Sequence, residues 1–453
     1  MTLYNLPASE AVAAMQAGDL RVEDYVAAHL DRITATETSV MAWQALDADG
    51  AMEQAERAGR MGPEERKRLP LFGLPFGVKD VIDVAGFPTA ADFAPYRSET
   101  IATDATVIRR LRQAGAIAFG KNTTTQFAWG QDPAKTRNPR NLGHTPGGSS
   151  SGPPAAVAAG QVPIGVGTQT ASSLLRPASY CGVVGLKPSY GRLSCHGVLS
   201  TSWTSDHPGF VTRSVRDVAA ALQATAGYDP RDPHSSRMHV GDFVAAAASP
   251  SRPRLAVLRD YVDRAKPEVR EGFEAAIARL RDAGAELVEV DLPVPLDVIL
   301  ALHWATSGAE AAANHSEQFA RHAEHYLPTV RANFEVSALI PATAYVQARR
   351  VHRHIRPALA GMFSGVHALV APTSSDMAPS LDNRNGPKPL GDTTFQVMSS
   401  AFGYPTISLP AGTRDDGLVY AIQLIAPPYS EETMLAVAAW CERELPAVGV
   451  AEI

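Results

Sequence analysis

Cysteine is scarce: the 453 residues hold only Cys181, Cys195 and Cys441. Odd in number and widely spaced, they supply neither a CxxC pair nor a complete disulfide framework, and read as reduced structural thiols. Long apolar runs are missing as well. No segment offers about 18 uninterrupted apolar residues, and the opening MTLYNLPASEAVAAMQAGDL lacks the basic start and apolar stretch of a secretory signal. The expectation is a cytoplasmic protein with no membrane partner. Basic charge is also limited, with 41 Lys and Arg against 47 Asp and Glu, a formal charge of -6 and no long basic block. Tracking a phosphate backbone needs clustered cations, so nucleic acid is not expected as a partner. Finally, no long Ser/Gly linker divides the chain.

What remains is an ordinary globular composition, 45% hydrophobic and 19% charged. One local plot recurs, in which an amphipathic helix stops at glycine and runs into a short apolar strand. In residues 104 to 119 Asp104 is placed to cap, Val107, Ile108 and Leu111 share a face, Gly115 ends the helix, and AIAF follows as a strand. Residues 273 to 291 repeat the plot through Gly284, and LAVL near 255 and VHALVAPT near 366 read as further buried strands. This alternation predicts an α/β fold, one large domain over 1–453 in which helices cover a central mixed β-sheet. It begins with a helical segment to about residue 65.

Three apparent motifs fail on context. GAIAFGK at 115 to 121 approaches a phosphate loop, but Asn122 replaces the magnesium-binding Ser or Thr, and a helix rather than a strand precedes Gly115. GSSSG at 148 to 152 fits a nucleophile elbow centred on Ser150, yet the polar, proline-broken KTRNPRNLGHTPG upstream is no strand. His322 and His325, like His352 and His354, lack the spacing of zinc helices and read as solvated or packed residues. No metal or cofactor is called for.

Three other segments place reactive groups where architecture alone has no need of them. In LFGLPFGVKDVIDV, residues 71 to 84, Lys79 lies in an apolar stretch. Either it pairs at the surface with Asp80 or Asp83, or it is buried, its pKa falls, and the neutral amine becomes a base. In TPGGSSSGPPAAVAAG, residues 145 to 160, glycines and serines precede Pro153 and Pro154, which suit a helix start. That loop is either simply flexible or a cluster of N–H donors. In VPIGVGTQTASSLLRPASYCGVVGLKP, residues 162 to 188, an apolar strand enters a turn of small residues that would let a carbonyl approach backbone N–H groups.

GVKD, GGSSSG and GTQTASSLLRPASYCGVVGLKPSYGR together resemble the amidase signature family, as do TRNPRN, SVRDVAAALQATAGYDPRDP, FGYPTISLPAG and GLVYAIQLIAPPYSEETML. The likeness covers nearly the whole chain and is weakest over about 235–400. It implies a Ser-Ser-Lys triad in which Ser173 is the acylated nucleophile, Ser149, after a cis peptide bond, is the bridge, and Lys79 is the base. It also implies an oxyanion hole from the backbone N–H groups of Thr170, Ala171, Ser172 and Ser173. Ser172 is an adjacent hydroxyl, but Ser173 aligns with the GT upstream and Pro177 downstream.

The implied activity is hydrolysis of a small carboxamide, or a related carbamate, ureide or hydrazide, with water as co-substrate and a homodimer compatible with the reading. Alternatives are a catalytically silent binding protein and the glutamine-hydrolysing component of an amidotransferase. Gln169 in place of the family's usual Asp, Ala171-Ser172 in place of a glycine pair, and Leu175 in place of Arg make a glutamine specialist less expected. Phe127, Trp129, Trp203 and Trp304 are candidates for an apolar substrate pocket, each with core packing as the alternative. Asp382, Asn383 and Arg384 are expected to form a loop near its entrance.

Overall fold

A computed structural model describes residues 2–96, 100–383, 386 and 388–453. Its frame is a single mixed sheet of eleven strands. In chain order these are β1 (Trp43–Leu46), β2 (Pro75–Lys79), β3 (Ile117–Asn122), β4 (Ile164–Gln169), β5 (Val184–Lys187), β6 (His207–Thr212), β7 (Arg254–Leu258), β8 (Glu286–Val290), β9 (Ala368–Pro372), β10 (Thr406–Thr413) and β11 (Val419–Ile425). Across the sheet they lie in the order β1-β3-β2-β4-β6-β5-β10-β11-β9-β7-β8. Every residue of β2, β3, β4, β5 and β6 is buried, so both faces of the sheet's centre are covered. The edge strands β1 and β8 are partly exposed.

The helix-to-glycine-to-strand plot is present where the sequence predicts it. The helix Thr106–Gln113 buries Val107, Ile108 and Leu111, and Gly115 turns the chain at φ +95°, a backbone region that L side chains rarely adopt. The expected Asp104 cap is not made. Ala105 precedes the helix, and Asp104 instead accepts the Ala85 N–H at 2.8 Å and faces Arg112 at 3.4 Å, so its carboxylate is engaged away from the helix's first N–H groups. The N-terminal helical region, Ala8–Ala17, Val22–Val40 and Ala48–Gly59, also contributes β1, which pairs antiparallel with β3. Among the described residues, no helix is long and apolar enough to cross a membrane.

Two features of the frame position the site. Strands β2 and β4 run parallel with Val78 opposite Val166, so Lys79 and the turn after Gln169 emerge at one edge of the sheet. Parallel strands gather their following loops in this way, which is why such edges hold ligands. The second feature is a close approach at Gly167, where a Cβ would lie 2.6 Å from Leu174 Cδ1 and 3.0 Å from Ser150 Oγ. Only glycine lets the serine loop and the helix Leu175–Cys181 close on β4 together.

The C-terminal helix Glu431–Glu444 is fastened by an ion pair beneath the surface. Glu431, fully buried, accepts the Ser189 N–H at 2.9 Å and meets Arg192 Nη2 at 3.1 Å, and the Arg192 guanidinium lies 4.9 Å from the Tyr429 ring centroid. Removing one partner strands a buried charge, so Glu431→Ala is expected to destabilise the protein by about 3–5 kcal/mol. Urea unfolding followed by circular dichroism measures this. The midpoint should fall with the slope unchanged, and an unmoved midpoint would overturn the assignment.

Candidate active site

Lysine burial is the first clue to chemistry, because an ammonium seldom leaves water without a partner. Lys79, Lys121 and Lys187 are all fully buried, and their partners differ in kind. Lys121 forms an ion pair with Asp80 at 2.9 Å and donates to Pro88 O at 3.0 Å. Lys187 donates to the carbonyls of Tyr404 at 2.6 Å and Pro188 at 3.3 Å. Lys79 alone meets only hydroxyls among the described residues, Ser149 Oγ at 2.7 Å and Thr168 Oγ1 at 2.8 Å. A carboxylate favours the charged ammonium, and neither it nor a carbonyl has a proton to give, whereas a hydroxyl can give one to a neutral amine.

The surface alternative for Lys79 is not what the structure contains. Asp80 is taken by Lys121, and Asp83 accepts from Thr89 Oγ1 at 2.8 Å. Burial pulls the Lys79 pKa down to about 7, opposed by the nearby negative charge of Asp206. As a neutral amine it has two N–H donors and one lone pair, enough to donate to Thr168 while accepting from Ser149.

The three loop serines are sorted by their contacts. The Gly148–Ser149 peptide is cis. Ser150 Oγ donates to Thr168 O at 3.1 Å, and Ser151 Oγ donates to Gly147 O at 2.8 Å, so both hydroxyls tie down backbone. Only Ser149 reaches Lys79. The alternative of a merely flexible loop gives way to one that is buried from Thr145 to Gly152. The helix Gly152–Ala158 starts at its end, with Pro153 and Pro154 in the first turn.

Opposite the loop, the turn from Thr170 to Ser173 borders a cavity of about 550 Å³. Ser149 and Ser173 both line it, and no direct hydrogen bond joins their hydroxyls among the described residues. Ser172 is 1% exposed, while Ser173 is partly open. No hydrogen bond of the described residues uses the N–H of Ala171, Ser172 or Ser173 as donor, which leaves these groups free for an oxygen in the cavity.

Gln169 shapes this turn. Its Oε1 accepts the N–H groups of Leu174 at 3.0 Å and Leu175 at 2.9 Å, while Nε2 donates to Ser400 Oγ at 3.1 Å. Ser400 Oγ in turn donates to Ala171 O at 2.7 Å. With that carbonyl held, the following N–H groups have a defined direction. Thr170 Oγ1 donates to Asp206 at 2.6 Å, and Asp206 also accepts from Ser200 Oγ and the N–H groups of Thr201 and Ser202. Burial raises the Asp206 carboxyl to about 6 against the opposing effect of these donors.

Of the four aromatic candidates, Trp129 and Trp304 line the cavity, edge to face with centroids 6.0 Å apart. Phe127 does not. It is 1% exposed and packs on Phe93, His315 and Tyr326 as core. Trp203 is 37% exposed and also lies outside the lining, its carbonyl accepting from Tyr190 OH.

Asp382 and Asn383 form a short 3-10 turn outside that lining, and Arg384 falls outside the described residues. His322, Glu324 and His325 bring ligand atoms within 4.8 Å of one another at a largely exposed helix end, apart from the cavity lining. His352 is packed, stacked on Phe402 with its Nε2 bonded to Ala401 O. Thr168 and Asp206 escape sequence reasoning. The hydroxyl-rich run LSTSWTSD was the only visible signal for Asp206, while Thr168 lay unremarked in the GTQT of the third segment.

Comparison with known proteins finds relatives that match nearly the whole chain. The family model described as Amidase matches residues 24–435. An amidase from Pseudomonas putida is 36% identical over 445 residues, covering 96% of this chain and 95% of that protein. A glutamyl-tRNA(Gln) amidotransferase component from Chloroflexus aurantiacus is 34% identical, covering 96% of both. The solved peptide amidase from Stenotrophomonas maltophilia superposes with a TM-score of 0.85 at 28% identity, over 98% of each chain.

Two outcomes follow for any reaction that uses Lys79 as a base. Its folded pKa is depressed, so the amine is protonated and inert below about 7 and competent above it. The value of kcat/KM for a non-ionising substrate should rise through a midpoint near 7, and a flat profile from about pH 6 to about pH 8.5 would contradict the role. In Asp206→Asn the charge that holds the lysine value up is gone. The midpoint should move to lower pH, and the plateau should fall by up to about 100-fold as Thr170 loses its alignment. An unmoved midpoint, or a shift to higher pH, counts against this coupling.

Proposed function

The chain belongs to the amidase signature family, whose members hydrolyse amides, and from that premise we propose a stand-alone hydrolase cleaving a small linear carboxamide through an acyl-enzyme on Ser173. The observation that carries this reading is the 2.7 Å contact between the buried Lys79 amine and Ser149 Oγ, beside a cavity that Ser173 shares.

Neutral Lys79 takes the Ser149 proton as Ser149 takes that of Ser173, and Ser173 Oγ adds to the carbonyl carbon. The oxygen becomes an oxyanion facing the N–H groups of the Thr170 to Ser173 turn. The proton held on Lys79 returns through Ser149 to the leaving nitrogen, the C–N bond breaks, and an ester on Ser173 remains. Water, deprotonated by the same relay, adds to that ester, and the proton returns through Ser149 to Ser173 Oγ as the ester C–O bond breaks and the acid leaves. The relay needs the two serine hydroxyls to approach one another across the cavity that both line. The greater opening of Ser173 supports it over Ser172 as the attacking group. Free Cys181, Cys195 and Cys441 suit a reducing cytoplasm.

A second reading, the glutamine-hydrolysing component of an amidotransferase, draws on the 34% identity to such a protein and would use the same groups. Glutaminase activity that requires a copurifying partner would favour it.

A fluorophosphonate probe tests the nucleophile. Mass spectrometry should place the adduct on Ser173, with labelling lost in Ser173→Ala. Lys79→Ala should lower kcat by about 100- to 10,000-fold. Undiminished amide turnover in either variant, with folding verified by circular dichroism, would sink the mechanism.

A further inference from the structure

The walls of the catalytic cavity carry information about the substrate that the reacting groups do not. Trp129 and Trp304 form one side, and Val336 and Ile340 add branched aliphatic surface. Trp129 is backed by Phe334, stacked at 27° with centroids 6.3 Å apart, so its plane is set before any ligand arrives. Trp304 and Val336 are 39% and 67% exposed, large apolar groups left in water at the rim of a concave site. Covering them is favourable for any apolar group that enters.

Acidic side chains are missing from the same walls among the described residues. No Asp or Glu lines the cavity among the described residues, so nothing there receives an ammonium. The one cation among those lining residues, Arg176, is 2% exposed. Its Nη1 donates to Gly391 O at 2.7 Å and its Nη2 to Gly148 O at 2.5 Å, which holds both arms of the guanidinium on backbone beside Ser149, while its Nε is buried without a hydrogen-bond partner among the described residues. The nearby carboxylates of Asp376 and Asp392 act on its charge in the compensating direction. The remaining polar groups, such as Gln131, Asn333 and Thr393, are neutral.

We infer that the site takes neutral amides bearing an aromatic or branched apolar group, held between the two tryptophans and Val336 and Ile340, and rejects amides that carry a carboxylate or an amino-acid zwitterion. This rests on the amide-hydrolase reading and narrows it. An apolar group fits surface already exposed for it, whereas the ammonium of a zwitterion such as glutamine would meet no carboxylate among the lining residues, and a carboxylate would meet only a guanidinium already bonded to Gly391 and Gly148.

The test compares kcat/KM of the purified full chain for phenylacetamide, acetanilide, propionamide, succinamate and glutamine. The better of the two aromatic amides should exceed propionamide by about 10- to 200-fold, and should exceed succinamate and glutamine by at least about 100-fold. In Trp304→Ala the advantage of that aromatic amide over propionamide should shrink about tenfold, and Trp304→Phe should restore most of it. A preference for succinamate or glutamine, or an aromatic advantage indifferent to Trp304, overturns this inference while leaving amide hydrolysis intact. Failure of the wild-type chain to hydrolyse any of these amides or to label at Ser173 would overturn the hydrolase reading and this one with it.

Discussion

The proposed chemistry depends on a lysine amine kept out of water without a carboxylate to hold it. Burial favours its neutral form, and neutrality turns a structural cation into a proton acceptor. The surroundings are arranged around that constraint. Asp80, the adjacent acid, is committed to Lys121 and cannot quench Lys79. Among the described residues the only groups within hydrogen-bond reach are the hydroxyls of Ser149 and Thr168, and the one charge acting on its pKa is Asp206. Lys187 is buried to the same extent and drawn down to about 7 as well, yet it faces backbone carbonyls. Burial supplies the altered basicity, and the identity of the neighbour decides whether it can be used.

Around this amine the sheet acts as a jig. The parallel register of β2 and β4 brings Lys79 beside Thr168, and Gly167 admits the serine loop and the following helix to the same point. Gln169 and Asp206 then hold the Thr170 to Ser173 turn from two sides, the first through Ser400 and Ala171 O, the second through Thr170. Gln169 occupies a position where the family usually has Asp, and its carboxamide accepts from two N–H groups and donates to a hydroxyl at once. An ionised carboxylate could do only the accepting.

Asp206 belongs to a longer polar path. Ser202 and Thr204, in the loop that binds Asp206, donate to Glu310 on the helix Leu296–His322, and Tyr345 OH donates to the same carboxylate at 3.0 Å. Trp304 lies on that helix, so the wall that meets the substrate and the turn that would meet the oxyanion are joined by hydrogen bonds rather than by apolar packing alone. Such a connection resists small misplacements, to which a site of this kind is sensitive.

Much of this was legible in the linear chain, for reasons that can be named. Helix-glycine-strand plots at 104 to 119 and 273 to 291 are local, set by side-chain periodicity and by glycine's freedom at positive φ, so sequence alone determined them and with them the α/β class. The Lys79, Ser149 and Ser173 segments were visible because reactive residues lie among small and apolar ones, and their joint resemblance to one family tied them together. Asp104 shows where local reasoning stops, since its side chain serves Ala85 across a loop instead of capping its own helix. Phe127 and Trp203 show the same limit, because an aromatic residue looks alike in sequence whether it faces a core, a surface or a cavity. The partners of Lys79, the parts played by Thr168 and Asp206, and the neutral, tryptophan-walled cavity were decided only by the tertiary structure. Each depends on contacts between residues far apart in the chain, and burial, which sets both the amine's basicity and the cavity's preference, is a property of the folded assembly and not of any segment.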